Sequence, residues 1–238
     1  MRHIVKGKAP SELVDWLRSC SAKPKYEDMP AEAVRAPLRL ALLAEQFYLC
    51  AYTMKAIKTL QNGFFDCHIE HVVARGLRRG MALETDWTNL VACVPLGKSP
   101  GYGARLKPNS NEIAAAFVSP LDSGCEARFD FQFDGSVLGK DDGANKTIKA
   151  LNLNHEKLVA HRKSTYRGLG ILKERGRGSY SSDNMEAGEA EQLSISILSP
   201  DDKDRLAEFC VAIAQVAKKF AMAESEFSAA LPAPGKKP

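Results

Sequence analysis

The chain predicts a mixed α+β fold, mostly helical, with a small strand-bearing centre embedded in a single domain and a helical C-terminal part. Three observations carry this. Apolar residues recur at helical spacing around Leu13, around Leu42 and around Ile213. Two stretches, Phe64 to Val73 and Arg128 to Phe133, are instead rich in aromatic and β-branched residues or alternate. Hydrophobic residues make up 45% of 238, enough to build a core without disulfide staples.

Pro10-Ser11-Glu12 opens a short amphipathic helix to residue 19, with Leu13, Trp16 and Leu17 on one face. Lys23-Pro24-Lys25 and Met29-Pro30 mark a loop. A long helix is predicted from Ala31 to Phe47, with Pro37 kinking or breaking it. Residues 48–67 read as a compact turn, with Asn62-Gly63 as its signal, leading into a strand from Phe64 to Val73. Asp86 to Ala92 opens like a helix capped by Asp86 or Thr88. Pro95 to Gly103 is a Gly/Pro loop. Arg128 to Phe133 and Ser136 to Leu138 form a hairpin around Asp134-Gly135. Asn154 caps a helix to about Lys173, and residues 175–192 read as a mobile polar loop. Asp201-Asp202 starts a last helix to about Ala223, with Leu206, Phe209, Ile213 and Val216 on one face. The tail from Ala229 is expected to be disordered.

Composition narrows the function classes. No apolar run approaches the roughly 20 residues that span a bilayer, and the basic N-terminus lacks the apolar core of a signal peptide, so a cytoplasmic chain is expected. The cysteines (20, 50, 67, 93, 125, 210) contain no CxxC pair and are expected to be small buried residues. The net charge of +4 is unevenly spread: His68 to Lys107 carries six Lys/Arg against three acids, and Lys146 to Arg177 carries nine against two. Basic segments of this kind suit a nucleic-acid partner.

The chemistry concentrates in residues 45–107. His68-Ile69-Glu70-His71 is followed by Asp86-Trp87-Thr88-Asn89-Leu90 and then by Arg105 and Lys107. Hydrolysing a phosphodiester needs a base for water, a cation to neutralise the phosphate and leaving oxygen, and something to hold both in line. Histidine has the right pKa for the base, and a neighbouring carboxylate can hold Mg²⁺ or Mn²⁺. His71 is therefore the expected general base, Glu70 the metal ligand and Asn89 the residue that orients the base. His68 shares a strand face with Glu70, as a second ligand or as a partner that orients the first. Arg75, Arg78, Arg79, Arg105 and Lys107 are candidate phosphate-binding cations.

These parts resemble the HNH, or ββα-metal, nuclease superfamily. The narrower resemblance is to the HNH endonuclease family of Septu and retron antiviral defence systems (PtuB-like proteins). It rests on Leu38-Arg39, Glu45-Gln46, Leu49-Cys50-Ala51-Tyr52-Thr53, the His68–His71 and Asp86–Leu90 motifs, Tyr102-Gly103-Ala104, Ser119-Pro120-Leu121, Cys125-Glu126 with Phe129, and Leu151-Asn152-Leu153-Asn154. The resemblance implies metal-dependent DNA cleavage, a ββα-metal centre within 45–110, and a partner ATPase of the ABC/SMC-like type. In retron forms a reverse transcriptase and its RNA–DNA product join the assembly. Residues 1–44 read as a helical N-terminal segment and 111–228 as an α+β extension, whose separate charge blocks make it the expected docking surface for the partner.

Two departures stand out. Cys50 and Cys93 have no mates at zinc spacing, so a structural zinc site of four cysteines cannot be assembled. The family also usually places a further ligand three residues before the closing lysine, where this chain has Ala104; Glu84, Asp86 and Asn109 are the nearby substitutes. A non-catalytic nucleic-acid- or partner-binding subunit on a degenerate frame is the alternative expectation.

Overall fold

A computed structural model describes residues 1–172 and 185–230. An irregular N-terminal stretch leads to α1 (Ser11–Ser19) and a 3-10 turn (Tyr26–Asp28). A π-helical turn (Ala31–Arg35) runs into α2 (Ala36–Glu45), followed by β1 (His68–His71) and α3 (Arg78–Ala82). A 3-10 turn (Trp87–Asn89), β2 (Leu90–Cys93), another such turn (Ala104–Leu106) and α4 (Asn111–Ala116) come next. The rest comprises a 3-10 turn (Glu126–Arg128), β3 (Phe129–Phe131), β4 (Val137–Gly139), α5 (Asp142–Ala150), α6 (Glu156–Gly168), α7 (Ala187–Ser196) and α8 (Cys210–Ala230). The fold is thus mixed α+β, with two small antiparallel sheets, β1–β2 and β3–β4.

One continuous core ties these elements together. Leu38, Leu42 and Leu43 of α2 are fully buried and belong to the same buried cluster as Val91 of β2 and Phe209, Ile213 and Val216 around α8. Each such side chain contributes about 1.5–3 kcal/mol by leaving water. All six cysteines are free; Cys50, Cys67, Cys93, Cys125 and Cys210 are buried. No helix among the described residues is long and apolar enough to cross a membrane.

The hairpin expected at 128–138 is present as β3–β4. Elsewhere the structure corrects the sequence reading. Asp86 does cap a turn, accepting from Thr88 N at 2.8 Å, but from Leu90 the chain is strand, because all four residues of β2 are buried and pair with β1. The strand foreseen from Phe64 begins only at His68. At Pro37 the expected break in the helical run is present: a π-turn (Ala31–Arg35) gives way to α2, with Pro37 in its first turn. His155, not Asn154, caps α6; Asn154 instead bonds both backbone groups of Val137. The last helix starts at Cys210, after Phe209 takes a left-handed φ of 61°. Of the loop expected at 175–192, residues 175–184 lie outside the described residues, while 187–192 belong to α7. Of the expected tail, residues 229–230 end α8 and the remainder lies outside the described residues.

Helix α5 was not foreseen. Asp141 caps it, accepting from Ala144 N at 2.9 Å, and is gripped by Arg128 at 2.7 and 2.6 Å. The Arg128 guanidinium, and then the cap N–H, hold the Asp141 carboxyl at about 2. A carboxyl depressed on folding stabilises the native state above its unfolded pKa, and that contribution fades as pH falls through the folded value. Wild type is therefore expected to lose melting temperature between about pH 4 and about pH 2 relative to Asp141→Asn. A parallel pH dependence of the two proteins would refute the linkage.

Candidate active site

The β1–β2 ribbon sets the site. His68 faces Cys93, Ile69 faces Ala92, Glu70 faces Val91 and His71 faces Leu90. Alternation along β1 sends His68 and Glu70 to one face and Ile69 and His71 to the other. The outer edge of β2 is held by Gln46, which is 2% exposed: its amide accepts from Ala92 N at 2.7 Å and donates to Ala92 O at 2.9 Å. The N-terminal stretch anchors the Trp87 turn. Lys6 lies 3.5 Å from the centre of the Trp87 ring and 2.6 Å from Glu45, and the Trp87 indole donates to Gly7 O.

Between the strands the chain makes a loop that one side chain closes. The buried Asn89 amide accepts from Val73 N at 2.7 Å and donates to Val73 O at 3.1 Å and Leu83 O at 3.2 Å. It thereby ties both ends of the segment that holds α3. The loop is packed closely: a Cβ on Gly80 would lie 1.9 Å from Ala74 O, so no larger residue fits without shifting backbone. The residue after Leu83 is Glu84, whose carbonyl lies 2.8 Å from His71 Nε2. A carbonyl only accepts, so Nε2 carries the proton and the neutral ring keeps its lone pair on Nδ1. Burial lowers the pKa of His71 below the usual imidazole value, and the Arg75 and Lys107 charges push the same way. The ring is neutral, and therefore basic, at neutral pH.

On the opposite face, His68 Nδ1 donates to Pro95 O at 2.8 Å. Its Nε2 is buried without a hydrogen-bond partner and lies 3.7 Å from Glu70 Oε2. The other oxygen of Glu70 is 2.5 Å from Lys107 Nζ. Lys107 also donates to Tyr52 Oη at 3.2 Å, to Val72 O at 3.1 Å and to His71 O. Burial raises the Glu70 pKa, but His68 and the Lys107 ammonium outweigh it and hold the carboxyl below its ordinary value.

The structure thus brings His68, Glu70 and Lys107 together on one face of β1, and places His71, Glu84 and the Asn89 clamp about the other. Lys107 is turned inward, its side chain 5% exposed, whereas Arg78, Arg79 and Arg105 are exposed and Arg75 is half-buried in an ion pair with Glu27. Ala104 is buried. The substitutes weighed for its missing ligand are engaged elsewhere: the Glu84 carboxylate accepts from Tyr26 N, Asp86 caps the Trp87 turn, and Asn109 packs against Gly76. Cys50 and Cys93 lie side by side in the core; the hydrogen bonds from Cys93 and Thr53 draw the Cys50 thiol down to about 6 against the opposing effect of burial. Among the described residues no group of three or more His, Cys, Asp or Glu is arranged to hold a metal ion. Sequence reasoning missed Tyr26, which packs edge-on against the His71 ring, and the role of the Glu84 carbonyl. Neither carries a local signal, since both act across long chain separations.

No family model matches this chain, and no curated protein matches it. The donor set must therefore be judged on its own chemistry. An imidazole held through Nδ1 by a carbonyl, with a buried free Nε2, is prepared as a ligand. Metal–nitrogen and metal–carboxylate bonds of about 2.1 Å each can together span about 4 Å, which the 3.7 Å gap to Glu70 satisfies. His68 and Glu70 fit a divalent cation that takes its other ligands from water and phosphate, as Mg²⁺ and Mn²⁺ commonly do.

Proposed function

We propose that the chain is a metal-dependent HNH-type endonuclease that hydrolyses DNA phosphodiester bonds. We further propose that it is the effector of an antiviral defence system, working with an ABC/SMC-like ATPase and, in a retron setting, with a reverse transcriptase and its RNA–DNA product. The observation that carries the nuclease reading is the unpartnered His68 Nε2 opposite Glu70, one residue from a neutral His71 whose proton is held on Nε2.

In this reading the bound cation supplies charge neutralisation at the phosphate and the leaving oxygen. His68 and Glu70 hold it. His71 Nδ1 takes the proton of the attacking water. The Glu84 carbonyl fixes the ring's tautomer, and Asn89 holds that carbonyl in place by closing the loop. Lys107 keeps Glu70 ionised. Arg75, Arg78, Arg79 and Arg105 meet the phosphates on either side, a contribution that weakens with salt.

A second reading, a non-catalytic nucleic-acid- or partner-binding subunit, is favoured by one feature: the Lys107 ammonium already sits on Glu70. Calorimetric titration with Mn²⁺ separates the two, alongside plasmid cleavage with and without the ATPase. The nuclease reading expects Mn²⁺ binding that falls by at least about tenfold in Glu70→Gln and His68→Ala, with cleavage lost in parallel. An absence of binding together with silence in every cleavage mixture would leave the non-catalytic subunit standing.

A further inference from the structure

The proposed base is covered. His71 is only 6% exposed, and the Tyr26 ring stands edge-on against its imidazole with centroids 4.8 Å apart. Tyr26 belongs to the 3-10 turn Tyr26–Asp28; its ring is half-buried against the edge of the core, while Glu27 and Asp28 are exposed. Three polar contacts pin this stretch onto the loop between β1 and β2. Lys23 Nζ donates to Ala82 O at 2.7 Å, Tyr26 N donates to Glu84 Oε2 at 3.1 Å, and Glu27 pairs with Arg75. The Arg75 guanidinium also lies 5.0 Å from the centre of the Tyr26 ring. On its C-terminal side the stretch is fixed at Met29, whose side chain is buried and whose carbonyl accepts from Arg35 at 2.8 Å.

The same arginine is thus bound to a carboxylate and packed over the ring that shields the base. Guanidinium binds carboxylate and phosphate with the same planar fork. The Glu27–Arg75 pair lies at the surface, where ion pairs are weak and exchange readily.

We propose that Arg75 is a phosphate subsite beside His71, that Glu27 holds it in the resting chain in place of a substrate phosphate, and that residues 23–28 form a plug over the base. A nucleic-acid phosphate that takes Arg75 from Glu27 removes one of the three anchors and, by charge repulsion, drives the Glu27 carboxylate away. Tyr26 moves with its neighbour and uncovers His71. The inference rests on His71 being the base, and it makes substrate binding itself the event that opens the site.

The test uses the full chain in EDTA, so that cleavage plays no part. A fluorescein-labelled duplex DNA reports affinity by anisotropy, and diethyl pyrocarbonate followed by peptide mass analysis reports access to His71. Glu27→Ala is expected to tighten DNA binding about three- to tenfold and to speed His71 modification at least about fivefold. Glu32→Ala, which removes an exposed acid from outside the plug, is the control and should change neither. The affinity gain should vanish when Arg75→Ala is combined with Glu27→Ala. Tyr26→Ala should speed His71 modification without needing the Arg75 change. Glu27 makes no core contact, so its variant is expected to melt like wild type. Unchanged His71 modification in both Glu27→Ala and Tyr26→Ala would overturn the plug. An affinity gain that persists without Arg75, or is matched by Glu32→Ala, would overturn the phosphate subsite. Failure of the nuclease reading shows separately, as loss of metal binding and cleavage with these readouts intact.

Discussion

Replacing His71 with alanine is expected to abolish DNA cleavage while leaving the protein folded. A positioned general base contributes about 10²–10⁴-fold, and the other histidine of β1, His68, lies on the opposite face. The fold should survive because the His71 side chain gives the structure one hydrogen bond, to Glu84 O, and one ring contact, with Tyr26. Losing them is worth about 1–2 kcal/mol, a few degrees of melting temperature. Single-turnover cleavage with Mn²⁺, read beside a melting curve, checks both halves. A His71→Ala protein that still cuts at the wild-type rate removes the residue from the mechanism.

The second large effect belongs to Asn89→Ala. Three hydrogen bonds disappear at once, and the Val73 N–H and the Val73 and Leu83 carbonyls lose a partner in a tightly packed loop. Each buried group left unsatisfied costs about 1–3 kcal/mol, so a loss of about 3 kcal/mol in denaturant unfolding is expected. Cleavage should fall as well, because the Glu84 carbonyl that fixes His71 is positioned from Leu83. The Asn89→Asp variant separates the contributions: it keeps the acceptor for Val73 N but offers the two carbonyls no donor, and should lie between wild type and alanine in stability. A stability equal to wild type in Asn89→Ala would show that the amide does not hold the loop.

The sequence reading reached as far as local patterns carry. The His68–His71 strand was legible because period-2 alternation places His68 and Glu70 on one face, and the structure has them there. The β3–β4 hairpin was legible from Asp134-Gly135 between alternating residues. Strand β2 was not, because Leu90 to Cys93 is buried on both faces and a short apolar run has no period to distinguish strand from helix. Helix α5 was missed although its cap, Asp141, stood in plain sight, because Gly143 and Asn145 lower helix propensity and tertiary packing overrode it. Lys107 was grouped with the phosphate-binding cations by its charge. Its inward turn depends on Tyr52 and on Glu70 and Val72 at the end of β1, two stretches that only folding brings to Lys107. Tyr26 and Glu27 reach His71 and Arg75 across more than forty residues of chain, and no motif announces such a contact.

Lys107 gives the centre a resident counter-ion. A buried carboxylate with no positive neighbour would either take up a proton or demand a metal before the chain could fold. Here an ammonium on a covalent tether meets that demand from within, so folding of the centre is uncoupled from metal supply. The Lys107–Glu70 pair lets the centre keep its shape without a metal. A cation arriving at His68 and Glu70 must then share the carboxylate with a charge of its own sign, which loosens its hold until a phosphate brings compensating negative charge. On the proposed nuclease reading, metal and substrate would then arrive together, and the centre at rest would be assembled but not yet armed.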